Sequence, residues 1–394
     1  MVPTALDQDG RRNVRVFGVT SLLNDTASEM AYWVLPAFLV SIGAGPAQLG
    51  VIEGIAESVA SFAKLFSGYL ADRFPRRKPL VVSGYVVANA AKPLLALTGA
   101  WWQVLAIRFS DRFAKGIRGT PRDVMVAESV PHAGLGSAYG FIQAMDSAGA
   151  IAGPLIALSL LPLFGMRGVF WVAAIPGGLC ILVAALGIRE TKIQPVAEPK
   201  AKPQVTIGWR DFPKGFYAVL FAVTLFSLGN SSDMFLVLRA EDVGIRTVQA
   251  PLLGLVFNIV YTAFSWPAGR LSDRLSRRAI AASGYLVFAA VYFVFAAAPS
   301  RPAIWIAMAS YGLFYALTNP VLKALVVDAV DEGARGRALG IYYFTTSVAI
   351  LVASVITGTL WKYYGARLPF YVSAGIAVMA AILLLLSPST RRSK

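Results

Sequence analysis

The residues that could do chemistry are embedded in stretches that are otherwise apolar. Between residues 102 and 128 stand Arg108, Asp111, Arg112, Lys115, Arg118, Arg122 and Asp123. At 100° per residue the first six fall within an arc of about 120°, with Asp123 at its edge, while Phe109, Phe113 and Ile117 face away. A face with five cations and two anions either lines an aqueous route that attracts anions or is paired with acids on neighbouring helices. For Arg118, Arg122 and Asp123 the alternative reading is a charge network that holds two parts of the chain together. Asp25 and Glu29, four apart, share a face with Ser21, Asn24 and Ser28. Glu53 and Glu57 repeat the spacing, with Lys64 two turns beyond, and Asp146 and Asp233 complete the acidic candidates. Burial raises a carboxyl pKa towards neutrality and a nearby cation lowers it, so these six acids are candidate proton carriers. The plainer alternative is a packing ion pair with a base of residues 102–128.

Further polar stripes occur at helical spacing: Asn230 with Asp233; Asn258 with Tyr261, Thr262 and Ser265; Tyr311 with Tyr315, Thr318 and Asn319. Together with Asn24, Arg112, Lys115, Arg118 and Arg122 they are candidate substrate contacts, and equally they could be glue between helices. Lys323, a further candidate substrate contact, is a lone ammonium in an apolar stretch and needs a partner. Met30, Met125, Met145 and Met234 read as span filler rather than soft-metal ligands, so no metal site is assigned. Cys180 and His132 are each the only residue of their kind, which excludes disulfides and cysteine- or histidine-based zinc sites. No His-Glu-x-x-His or Gly-x-Ser-x-Gly motif is present, so neither an enzyme nor a cofactor is expected.

The elements that must carry these residues follow from composition. Of 394 residues 57% are hydrophobic and 14% charged, against roughly 25% charged in soluble globular chains. Apolar segments lie at about 16–41, 47–71, 79–100, 102–128, 136–160 and 166–188, then at 214–239, 249–271, 279–298, 302–328, 336–361 and 366–387. The first is too long for the core of a cleaved signal peptide. Residues 189–213, with Pro195, Pro199, Pro203, Pro213, Lys192, Lys200 and Lys202, read as a solvated linker. The domain reading is therefore an N-terminal six-helix half at 1–188, the linker, and a C-terminal half at 214–394.

The formal net charge of +15 is explained mostly by topology. Twenty-one basic residues fall on the side of the termini and linker, five on the other, and ten inside the spans. The positive-inside rule then places both termini in the cytoplasm, in a cell inner membrane. Nucleic acid is not implied by this charge.

The two halves repeat each other. Gly68-Tyr-Leu-Ala-Asp72-Arg73-Phe-Pro-Arg76-Arg77 recurs 201 residues later as Gly269-Arg-Leu-Ser-Asp273-Arg274-Leu-Ser-Arg277-Arg278. Gly136, Ala138, Gly140 and Ser147 reappear as Gly336, Ala338, Gly340 and Ser347 at an offset of 200.

Twelve spans in two repeated halves, with the Gly68 to Arg77 loop between the second and third, resemble the major facilitator superfamily of secondary transporters. The family loop Gly-x-x-x-Asp-Arg-x-Gly-Arg-Arg is matched by Gly68, Asp72, Arg73, Arg76 and Arg77, with Pro75 replacing the last glycine. The resemblance implies a conformational lock there, and a second at Gly269, Asp273, Arg274, Arg277 and Arg278. A fourth-span motif, Arg-x-x-Gln-Gly-x-Gly, is similar to Arg112 to Arg118, with Lys115 and Arg118 as departures. Gly140, Gly149, Gly153 and Pro154 keep the spacing of the family's antiporter motif, while Ala157 and Leu158 replace its final glycines.

The fold expected is all-α and integral to the membrane, with twelve transmembrane helices in two pseudo-symmetric six-helix bundles. The function expected is proton-coupled export of a small anionic or amphiphilic compound by alternating access. Alternatives are export of hydrophobic or cationic drugs or lipid-like molecules, or of a metal ion. The partners expected are the small-molecule substrate, protons and the lipid bilayer, for a monomer.

Overall fold

The computed structural model describes residues 8–44, 46–74, 76–191, 212–245, 250–297 and 300–387. Most of the linker, Pro75 and the extreme termini lie outside the described residues. The described chain is helical: α1 (Gln8–Ser41), α2 (Pro46–Arg73), α3 (Lys78–Leu94), α4 (Trp101–Glu128), α5 (Leu135–Val172), α6 (Ala174–Gly187), α7 (Lys214–Gly229), α8 (Met234–Asp242), α9 (Ala250–Arg274), α10 (Arg277–Ala297), α11 (Arg301–Asp328), α12 (Arg335–Tyr364) and α13 (Arg367–Leu386). Two differences from the expected spans are local. Within α5, Gly165 has φ 62° and ψ −178°, a conformation open to glycine alone, and it turns the chain from the fifth span into the sixth. The seventh span, expected to run unbroken over 214–239, is interrupted. α7 ends at Gly229, Asn230 leaves helical geometry at φ −100° and ψ 83°, and α8 starts at Met234. Four consecutive polar residues, Asn230-Ser-Ser-Asp233, supply side chains that compete with the backbone for hydrogen bonds.

The bundles are built alike. In the first, α1 packs on α5 and α6, α2 on α4, and α3 on α4 and α6. In the second, α7 packs on α12 and α13, α9 on α11, and α10 on α11 and α13, the same pairings for the repeat-equivalent helices. The bundles meet along two equivalent seams, α5 against α9 and α2 against α12. Twelve crossings in two pseudo-symmetric bundles are thus the architecture, as expected.

Only six described stretches are long and apolar enough to cross a bilayer by length and composition alone, and one of these covers both the fifth and sixth spans. α1, α2 and α4 carry several charges, α11 is diluted by tyrosine, threonine and asparagine, and α7 is cut short. These helices carry many of the charged and polar candidates, whose side chains lower the mean hydropathy without shortening the bundle. Exposed Phe62, Leu163, Leu186, Phe221, Leu351 and Leu386 ring the outside, an apolar surface suited to lipid.

Both seams depend on missing side chains. A Cβ on Gly269 would lie 2.1 Å from the carbonyl oxygen of Gly136, and one on Gly68 would lie 2.4 Å from that of Gly336. Backbones therefore touch where the bundles cross. The antiporter-type glycines Gly149 and Gly153 serve a different contact. Their absent Cβ atoms would meet Leu22 O at 2.5 Å and Glu29 Cβ at 2.7 Å, so they seat α5 on α1 within one bundle.

Candidate functional site

The charged face of α4 does not form one wall. Near its N-terminal end, Arg108 is buried, lies 3.5 Å from Asp111 Oδ2 and stacks over the Tyr32 ring at 5.5 Å. With Ser28 and Lys92 of the neighbouring helices these residues wall a small pocket between α1, α3 and α4. Lys92, deeply buried, donates to Asn89 Oδ1 at 2.8 Å and Ala88 O at 3.1 Å. From Asn89 a polar chain continues to Asn24 Oδ1 at 3.3 Å, and Asn24 donates to Asp25 Oδ1 at 2.9 Å. Two turns along, Arg118 is buried inside the bundle with its guanidinium over the Tyr85 ring at 4.5 Å. Arg112 stays on the helix face between these groups, with Asp111 near enough to feel its charge.

Asp25 of α1 and Asp146 of α5 come together: their carboxyl groups hydrogen-bond to each other, with Arg122 and Lys115 acting on Asp146 through their charge. Gln143 also donates to Asp146 Oδ2 at 3.3 Å. Lys115 is exposed and Asp146 half-buried, so this cluster faces open space rather than the bundle core. Glu29 is half-buried beside Gly153. The side chains of Glu53 and Glu57 lie outside the described residues.

Asp123 answers the question of Lys323. Arg122 donates to Asp123 Oδ1 from Nε and Nη2, both at 3.1 Å. The other oxygen, Oδ2, accepts from the Tyr343 hydroxyl and lies 3.7 Å from Lys323 Nζ. Lys64 and Lys323 also stand over the Tyr343 ring, at 5.2 and 6.0 Å. One carboxylate therefore joins α4 of the first bundle to α11 and α12 of the second.

The second bundle has its own site. Tyr311 donates to Asp233 Oδ1 at 2.7 Å, and Asn230 Oδ1 lies 3.4 Å from the same hydroxyl. Phe257, Tyr315, Tyr292 and Phe314 pack around Tyr311 with ring centroids 5.1 to 6.3 Å away. Asn319 donates to the Tyr261 hydroxyl at 2.7 Å, and Asp146 is close enough for its charge to act on Tyr261. Asn258 lies half-buried on α9.

At the end of the molecule that carries the repeated loops, the bundles are tied by capped helices. Asp72 accepts from the backbone N–H groups of Gly336 and Arg337, both at 2.8 Å. Asp273 accepts from Gly136 and Ser137 at 2.8 and 2.7 Å. Each carboxylate caps a helix of the opposite bundle, where the exposed donors and the helix dipole favour an anion. Burial pushes Asp72 up to about 6, against the opposing pull of the two N–H bonds and Arg337. Burial likewise raises Asp273. Arg77 Nη1 meets Glu128 Oε2 at 2.6 Å, and in the second bundle Arg277 pairs with Asp328. Arg73, Arg76 and Arg274 are exposed, and Arg73 reaches Tyr69 at 3.2 Å. Arg278 donates to Ser387 O at 2.6 Å.

Sequence reasoning missed several of these groups. Lys92, Asn89, Lys64 and Tyr343 were not among the candidates, although Lys64 and Lys92 are charges inside apolar segments and carried that signal. Glu128 and Asp328 were legible as repeat-equivalent acids 200 residues apart. His132, the one histidine, carries no spacing signal, yet its Nδ1 lies 2.7 Å from Asp328 Oδ1 and its Nε2 3.3 Å from Arg335 Nη2.

Comparison with known proteins agrees with this geometry. The family model described as Major Facilitator Superfamily matches residues 17–239 and again 216–394. An uncharacterized MFS-type transporter of Methanocaldococcus jannaschii is 32% identical over 387 residues, covering 96% of each chain. The multi-drug resistance efflux pump PmrA of Streptococcus pneumoniae is 23% identical, covering 92% of each. Among solved structures, the human organic anion transporter MFSD10 superposes with a TM-score of 0.80 at 16% identity, over 96% of this chain and 100% of that one, a likeness of fold.

Proposed function

The chain belongs to the Major Facilitator Superfamily of transporters, and from that premise we propose that it is a proton-coupled antiporter exporting a small anionic or amphiphilic compound. The observation that carries the reading is the hydrogen-bonded pair Asp25 and Asp146 beside Arg122 and Lys115. Two carboxyl groups that hydrogen-bond to each other share one proton, and cations beside them can trade that proton's charge against an anion's. An inward proton and an outward anion both move favourably in a potential negative inside, by about 2.3 kcal/mol per charge per 100 mV. We assign residues 1–188 and 214–394 to the two moving halves and 189–213 to the linker. The end with the repeated basic loops is the cytoplasmic face of the inner membrane, by the distribution of lysine and arginine. The efflux function named for the pneumococcal relative supports the outward direction.

The test is proton movement in proteoliposomes holding the purified monomer and a trapped pH dye. Adding an anionic amphiphile on the side of the basic loops should drive protons towards that side. Asp146→Asn should abolish the dye response while the protein stays folded. A response of wild-type size in that variant overturns the assignment.

A second reading rests on Asp233 and its aromatic surround, Tyr311, Tyr315, Tyr292 and Phe257. One acid among π-faces is a receptor for a hydrophobic cation. In that case a cationic dye, and not an anionic one, drives the proton response, and Asp233→Asn removes it.

A further inference from the structure

Asp123 is held from both bundles, each contacting one of its carboxylate oxygens. Arg122, its own neighbour on α4, takes Oδ1, while Tyr343 and Lys323 of the opposite bundle take Oδ2. Three cationic side chains, Arg122, Lys323 and Lys64, gather around this carboxylate and the Tyr343 ring. Asp123 is 2% exposed in this closed arrangement, whereas Lys323 and Arg122 each keep 16% of their side chains open. Asp123 and Lys323 are also repeat-equivalent, 200 residues apart, so their contact lies where the pseudo-symmetry axis passes between the bundles.

We propose that Asp123 is an internal counter-ion that occupies the anion-binding site formed by Lys323, Tyr343 and Lys64, and that a carboxylate, sulfonate or phosphate of the substrate competes with it. The inference rests on the exporter reading above and deepens it. A half-buried cation cluster between the bundles is costly to leave without an anion, because an unpaired charge in a region of lowered dielectric is poorly solvated. When the basic end opens, Asp123 moves away with α4 of the first bundle while Lys323 and Tyr343 remain on the second, and Lys64 of α2 faces them across the opened seam. A substrate anion fills the vacancy. When the basic end closes, Asp123 returns to the same donors and expels the anion towards the opposite face. The site thus excludes simultaneous closure and occupancy, the condition an exporter needs for release on one side only. The donor set of one ammonium and one hydroxyl with a second ammonium nearby suits a single anionic head group, with the tail free to lie against aromatic surface.

The experiment uses full-length protein in nanodiscs and two fluorescent probes of similar shape, the anionic 1-anilinonaphthalene-8-sulfonate and the neutral N-phenyl-1-naphthylamine, with empty nanodiscs subtracted. Asp123→Asn should tighten the anionic probe about tenfold, as a competitor worth about 1.4 kcal/mol is removed, and leave the neutral probe unchanged. Lys323→Gln and Lys64→Gln should weaken the anionic probe alone. In a Ser137→Cys, Cys180→Ser background with Asp123 intact, the anionic probe should speed maleimide labelling of the α5 to α9 seam several-fold. Equal or weaker anion binding in Asp123→Asn, or labelling that the anion leaves unchanged, overturns the counter-ion role while anion binding by the wild type preserves the exporter reading. Absence of anion binding in the wild type overturns both.

Discussion

Asp72 accepts a hydrogen bond from the backbone N–H of Arg337 at 2.8 Å, so a carboxylate at the end of α2 caps the first turn of a helix in the other bundle. The same carboxylate takes the N–H of Gly336, and Asp273 repeats the arrangement on α5. Closure at the basic end is thus written into helix-capping chemistry. The arginines that follow each aspartate contribute less than their number suggests, since Arg73, Arg76 and Arg274 are exposed.

Asp72→Ala should weaken closure by about 0.5 to 2 kcal/mol, the usual value of a cap. Asp72→Asn, which keeps one acceptor, should cost less. The pH dependence has a definite sign. Because burial pushes the Asp72 carboxyl up to about 6 from its ordinary value of 3.8, its contribution to closure is complete at low pH and is lost as pH rises through about 6. Maleimide labelling of a cysteine at residue 137, measured against pH in wild type and Asp72→Asn, reads this directly. A pH profile unaltered by the substitution contradicts the assignment.

Gly269→Ala should prevent the α5 to α9 seam from closing, because its Cβ would lie 2.1 Å from a backbone oxygen and 3.1 Å from Gly140 Cα, neither of which can rotate aside. Overpacking of this kind costs about 1 to 3 kcal/mol. Gly254→Ala, on the same helix with nothing within 4 Å of its Cβ, is the control and should be neutral or slightly stabilising. Thermal melting of the two variants in detergent should separate them by several degrees, and melting points that coincide would show that backbone contact at the seam is not limiting.

His132 should give an opposite pH response to Asp72. Its Nε2 accepts from Arg335 while Nδ1 donates to Asp328, whose charge is already shared with Arg277. That arrangement needs the neutral ring. Burial and the nearby Arg335 and Arg277 accordingly lower its pKa. Its contribution to closure is therefore complete above the ordinary value of 6.5 and is lost as pH falls below it. His132→Gln should remove this acid-side loss and leave the behaviour above pH 7 unchanged. The same labelling assay, run from pH 5 to 8, checks both limbs.

The twelve crossings, the two-fold repeat and the repeated Gly-x-x-x-Asp loops were all legible in residue order. Apolar length, the 200- and 201-residue offsets and the Gly-x-x-x-Asp spacing are properties of the chain, and they dictate helices and close seams by period and size alone. Partnership was not legible in the same way. Lys323 was evident as a cation needing an acid, and Asp25, Glu29 and Asp146 were evident as acids, but the acid that met Lys323 was Asp123 across the bundles. Asp25 and Asp146 met each other instead. Nor could periodicity distinguish Arg118, turned inward onto Tyr85, from Lys115 one turn before it, which stays exposed. A helix face is about as wide as the arc these residues occupy, so spacing assigns them together, and only the neighbouring helices decide which charge is buried, paired or left open. Sequence determined the elements and their symmetry because those depend on local period and local size. Tertiary structure decided the ion pairs, because electrostatic partnership depends on distances between helices that are remote in the chain.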